Sequence, residues 1–202
     1  MRKLFVIIVM ILSSKLLPAE TTMEDCSHNL ADKKWSVGLG SRFTEVNSLS
    51  AALVGVSGTY NLSENFEIGV KAEGLYYDRK LNQLSNDKTY HLQSGHAGFF
   101  VEWHPFGKGN IHFSIPLFMG TGEVSYLYDK EYRKDLIWYE EIIDKTIYSI
   151  FQIGVQGEAR VYKNWSVALD FGIRNTSPIE MLGTDKDLFN NYEGGLTIKY
   201  NF

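Results

Sequence analysis

The sequence predicts an all-β protein, an eight-stranded antiparallel up-and-down transmembrane β-barrel, and three observations predict it. Eight stretches of about ten residues alternate apolar and polar side chains, the period of a strand whose two faces meet different surroundings. The links between those stretches alternate short and long. The chain also ends on Leu196-Thr197-Ile198-Lys199-Tyr200-Asn201-Phe202, an alternating strand with an aromatic terminus that a membrane interface can seat.

The elements follow in order. Arg2 and Lys3 precede an apolar run from Leu4 to Leu12, then Ser13, Ser14 and Leu17-Pro18-Ala19. A basic start, a short apolar core and a small residue at the cut predict a signal peptide over residues 1–19. Nine apolar residues fall well short of the roughly 20 that a helix needs to cross a bilayer. Residues 20–33 are expected to form an N-terminal periplasmic segment, and residues 34–202 the barrel domain.

Strands are predicted at 35–43, 50–60, 66–77, 90–103, 111–122, 147–161, 165–174 and 192–202. The clearest sets Trp165, Val167, Leu169, Phe171 and Ile173 against Ser166, Ala168, Asp170, Gly172 and Arg174. The second, around Ala51-Ala52-Leu53-Val54, has the weakest register signal. Short links at 61–65, 104–110 and 162–164 face longer ones at 44–49, 78–89, 123–146 and 175–191. Such sorting is typical of membrane barrels, with short periplasmic turns and long extracellular loops. An even number of strands puts both termini at the short-turn end, hence in the periplasm.

Alternation alone also fits a soluble barrel with a greasy interior. Three features decide for lipid outside. The polar face carries small residues (Ser36, Gly38, Gly40, Gly69, Gly98, Ser114, Gly154, Gly172), which a narrow lumen needs. Its charges nearly balance: Arg42, Lys71, Arg160, Arg174 and Lys199 against Glu67, Glu73, Glu102, Glu158, Asp170 and Glu193. A buried charge without a partner costs several kcal/mol, so these eleven are read as a lumen charge network. Large aromatics gather at strand ends. Trp35, Tyr60, Trp103, Phe106, Trp165 and Phe202 mark the short-turn side, and Phe43, Tyr76, Tyr77, Tyr90, Tyr126 and Tyr148 the other, as two interfacial belts.

Composition excludes several classes. A net charge of −4 with both signs dispersed is no nucleic-acid footprint, and a single cysteine, Cys26, allows no internal disulfide. From Trp35 to Phe202 the chain resembles small outer-membrane β-barrel proteins of Bacteroidetes-type bacteria, many without assigned function. The resemblance rests on residues 111–122 (IHFSIPLFMGTG), the turn Tyr162-Lys163-Asn164-Trp165 and the GGLTIKYNF ending. It implies that Tyr200 and Phe202 belong to the signal read by the barrel-insertion machinery, although Thr197 stands where that signal often has Gly. Outer-membrane lipids and lipopolysaccharide are the implied surroundings.

Chemistry is sparse. His112-Phe113-Ser114 is similar to the His-x-Ser of lipid A deacylases, yet both side chains are expected inside the barrel near the short-turn end, away from that substrate. His91 and His96 fall on opposite faces. His96 and His104 share a face but lie roughly 27 Å apart at 3.4 Å per residue. No catalytic residue, metal site or cofactor is expected. The connection 123–146 carries Tyr126, Tyr128, Tyr132, Trp138 and Tyr139 among charges. It is either a surface binding loop for an unknown ligand or a continuation of the flanking strands. The expected function is a structural or surface-interaction role with a lumen plugged by side chains. The alternatives are a lipid-modifying enzyme, acting on lipid A or phospholipid acyl chains, and a narrow channel for small solutes.

Overall fold

Valine, isoleucine and aromatic residues at every second position favour extended chain, because branched and flat side chains pack well on a pleated surface. A computed structural model of the protein describes residues 34–46, 49–76, 90–128, 141–181 and 184–202. Within them run eight strands: β1 (Trp35–Val46), β2 (Leu49–Asn61), β3 (Phe66–Tyr76), β4 (Tyr90–Trp103), β5 (Ile111–Tyr128), β6 (Glu141–Tyr162), β7 (Trp165–Thr176) and β8 (Asn191–Asn201). Each pairs antiparallel with its sequence neighbours, and β8 closes on β1. Closure leaves no sheet edge, the condition for burying strands in lipid. At the seam, Phe202 N–H donates to Trp35 O at 2.9 Å and Trp35 N–H to Phe202 O at 3.2 Å.

The predicted polarity is observed. Val37, Leu39, Val54, Val56, Val70, Phe99, Phe113, Met119, Leu169, Phe171 and Ile198 face outward and are exposed. Ser36, Glu67, His96, Glu102, Ser114, Gln156, Glu158, Arg174 and Lys199 are buried inside. In the doubtful second strand, Ala51 and Leu53 point inward while Val54 and Val56 point out. Trp35, Trp103, Phe106, Trp165 and Phe202 form an exposed aromatic belt at the short-turn end. Trp165 lies edge-on to Tyr200, with ring centroids 5.0 Å apart.

Three departures from expectation have physical causes. β5 and β6 run to Tyr128 and from Glu141, so much of the expected 123–146 loop is paired strand, with an irregularity between Tyr126 and Leu127. Tyr148 is not in the outer belt: it is 3% exposed, with its hydroxyl 2.9 Å from Ser94 Oγ and its ring 5.3 Å from Phe189. The residue simply falls on the inward phase of β6. The third departure concerns the link between β7 and β8, which folds into the barrel mouth. Ile179, Met181, Leu188 and Phe189 are buried there with Val46, Leu53, Leu75, Leu92, Val124 and Ile150. The interior is therefore apolar at the long-loop end, while the outside there turns polar with Glu123 and Lys145. Burial of an aliphatic or aromatic side chain contributes about 1.5–3 kcal/mol, which holds this cap in place.

The lumen is narrow enough to demand glycine. Gly98 and Gly120 are register partners, and a Cβ on Gly98 would lie 2.2 Å from Met119 O and 2.5 Å from Gly120 Cα. Gly98→Ala is expected to cost about 1–3 kcal/mol by overpacking. A urea unfolding midpoint in lipid vesicles measures it, and an unchanged midpoint would mean that β4 and β5 have room to spare.

Candidate functional site: the barrel lumen

Alternation turns one charged residue inward at a time, and pairing eight strands brings those residues together in two clusters. The first lies towards the long-loop end. Arg42, from β1, is central: its Nε lies 3.1 Å from Asp170 and 3.4 Å from Glu73, and its Nη1 lies 3.2 Å from Glu193. Lys71 Nζ is 3.3 Å from Glu73, donates to Gln152 Oε1 at 2.7 Å and sits 4.4 Å from the centre of the Phe118 ring. His96 Nε2 is 3.0 Å from the same glutamate. Arg174 Nη1 lies 3.8 Å from Glu193. Its Nε donates to Phe189 O at 2.9 Å, so the ionic cluster also ties down the apolar cap.

The second cluster lies at the short-turn end. Lys199 Nζ stands 2.8 Å from Glu158 and 3.5 Å from Glu102. Ser114 Oγ and Gln156 Nε2 donate to Glu102 Oε1 at 2.5 and 2.8 Å. Lys108 reaches in from the β4–β5 turn to pair with Glu67 and Asn61. The His104 and His112 rings lie tilted against each other with centroids 5.1 Å apart, and His112 Nδ1 donates to Gly109 O at 3.0 Å.

Of the eleven expected network residues, Arg42, Glu67, Lys71, Glu73, Glu102, Glu158, Asp170, Arg174, Glu193 and Lys199 make these contacts. Arg160 is half-buried beside the β6–β7 turn. Sequence reasoning missed Lys108, a sixth cation facing six carboxylates. Its signal was its place in a short turn next to the lumen, where the strand period says nothing. His112 and Ser114 are inward and buried, held by the Gly109 carbonyl and by Glu102. Neither contacts the other in a nucleophile–base arrangement. Tyr132, Trp138 and Tyr139 lie outside the described residues, as do the expected signal peptide and periplasmic segment, and Tyr126 and Tyr128 are described only as backbone of β5. Tyr200 and Phe202 are exposed, 5.9 Å apart at the seam.

Between the clusters, a cavity of about 60 Å³ is lined by Arg42, Lys71, Glu73, Phe118, Gln152 and Asp170 among others. That space is large enough for a few water molecules.

No family model matches the sequence, and no curated protein matches it. Among solved structures the chain is similar to neisserial surface protein A, at 11% identity over 83% of this chain and 97% of that one, with a TM-score of 0.56. It also matches the N-terminal β-barrel domain of Pseudomonas aeruginosa OprF, at 12% identity, 83% and 97% coverage and a TM-score of 0.49. The outer membrane protein OprG of the same organism matches at 9% identity, 86% and 99% coverage and a TM-score of 0.49. At such identities the likeness is one of fold, and the first of the three carries it. The lumen is thus the interior of a barrel built like the small eight-stranded outer-membrane barrels of bacteria.

Proposed function

We propose that this protein sits in a bacterial outer membrane, with both termini in the periplasm, as a structural or surface-interaction protein that neither conducts solutes nor catalyses a reaction. The observation that carries the reading is the filled interior: two ionic clusters and an apolar cap in series. A channel needs a continuous wet path, and the packing opposes one. A lipid hydrolase needs a reactive hydroxyl within reach of lipid, whereas Ser114 is 2% exposed and bound to Glu102. The long β5–β6 hairpin supplies the surface for a partner, and the solved structure most useful for the fold is itself described as a surface protein. Lipid and lipopolysaccharide contact the apolar belt, and the insertion machinery reads the ending with Tyr200 and Phe202. Residues 111–122, the 162–165 turn and that ending support a place among the Bacteroidetes-type small barrels.

The test joins two measurements. Cell fractionation should find the protein in the outer membrane, with heat-modifiable mobility on gels. Planar bilayers containing the folded protein should show no conductance above the background. Steady ohmic currents would overturn the closed-lumen reading, and recovery in a soluble fraction would overturn the location.

A further inference from the structure

We propose that Glu67, Glu102 and His104 form a binding site for a divalent transition-metal ion of the zinc type, at the short-turn end of the lumen. Glu67 and Glu102 are register partners on β3 and β4, so two buried carboxylates stand directly opposite one another. Like charges in that relation repel and need a cation between them. Lys108 and Lys199 approach from the flanks, one against Glu67 and the other 3.5 Å from Glu102. The group aimed between the two carboxylates is an imidazole.

His104 has no solvent exposure, and neither ring nitrogen has a hydrogen-bond partner among the described residues. A buried polar group in that condition is costly and calls for a ligand. Its Nε2 lies 3.7 Å from Glu67 Oε2 and 3.9 Å from Glu102 Oε1, too far for hydrogen bonds. One ligand atom from each of the three residues lies within 4.8 Å of the other two. Nitrogen and oxygen ligands about 2.1 Å from a tetrahedral zinc ion stand about 3.4 Å apart, so the two imidazole contacts close by a few tenths of an ångström, and the carboxylate oxygens, within 4.8 Å of each other, close to the same spacing.

The surroundings suit such a site. Asn65 anchors the His104 backbone from both sides, with its carbonyl accepting from His104 N–H at 2.8 Å and its Nδ2 donating to His104 O at 2.7 Å. Ser114 and Gln156 both donate to Glu102 Oε1, the oxygen nearest His104, and so fix where that carboxylate stands. Lys108 holds Glu67 Oε2, the same oxygen that stands 3.7 Å from His104, so the metal and the ammonium compete for it. One imidazole and two carboxylates favour zinc or a neighbouring first-row ion over calcium or magnesium. Spacing along the chain hides the set, because it is assembled across a strand pair and a turn.

The experiment uses the purified full chain, folded in detergent and stripped with a chelator. Zinc chloride is titrated against a chromophoric competitor, and cobalt chloride is followed by its visible absorption. One equivalent should bind, and the cobalt band should appear. His104→Ala and Glu102→Gln should each weaken binding at least ~100-fold, since loss of an outer partner alone costs about 10–100-fold. Lys108→Ala should tighten it by removing the competitor for Glu67, whereas His96→Ala, in the other cluster, should leave it unchanged. The compact gel band shows that each variant is folded. Binding that survives in His104→Ala lies elsewhere in the chain and overturns the proposal. So does a wild type that takes up no metal. The readout does not depend on whether the barrel conducts.

Discussion

Arg42→Ala is expected to destabilise the folded barrel by about 3–5 kcal/mol, the usual cost of stripping one partner from a buried ionic set. The guanidinium touches three carboxylates on three other strands, Glu73 on β3, Asp170 on β7 and Glu193 on β8. Its side chain is 13% exposed and theirs are 3–6% exposed, so bulk water does not screen the charges it would leave behind. After the substitution Lys71 and Arg174 remain, and neither lies within ion-pair distance of Asp170 in the described set. Arg42→Lys should recover only part of the loss, because an ammonium on a shorter stem lacks the planar fork that meets several carboxylates together. Urea unfolding in vesicles gives the magnitude. A double variant, Arg42→Ala with Asp170→Asn, removes the orphaned charge as well. It should be less destabilised than the two single changes added together, by about 0.5–3 kcal/mol of coupling. Strict additivity would mean that the two groups do not interact, and the cluster geometry would be wrong.

The second large effect belongs to the outer face. Leu169→Arg should cost about 2–4 kcal/mol, the penalty for a cation at the bilayer midplane on a barrel exterior. Leu169 is 59% exposed and central in the outward row Trp165, Val167, Leu169, Phe171, Ile173. The same substitution at Asn175, exposed beyond that row near the long-loop end, should cost about 0–1 kcal/mol. Refolding into vesicles under matched urea measures both. Equal costs at the two positions would mean that the row does not face lipid, and the membrane orientation of the barrel would fall with it.

The strands were legible because their signal is local. Trp165 to Arg174 declares two faces whatever the rest of the chain does, and the small residues and balanced charges say which face is inside. The β5–β6 extension was harder to see. Charged residues such as Glu123 and Lys145 interrupt the apolar row, and an outward row that has left lipid reads like a loop. Tyr148 shows the limit of composition. A tyrosine near a strand end suits an interfacial belt, and only its phase on β6 relative to Ser94 and Phe189 places it inside.

By itself, the sequence determined the eight-stranded architecture and the inside-out polarity. The strands follow from a period of two, which neighbouring residues impose without help from distant ones, and the polarity from the small residues and balanced charges that share one face. Tertiary structure alone decided that Arg42 gathers three carboxylates, that Lys108 and His104 join Glu67 and Glu102, and that Ile179, Met181, Leu188 and Phe189 close the mouth. Those contacts depend on register across strands and on the path of a connection, and neither leaves a periodic mark in the chain. Side chains that meet inside a closed cylinder are neighbours only once the seam between β1 and β8 has formed.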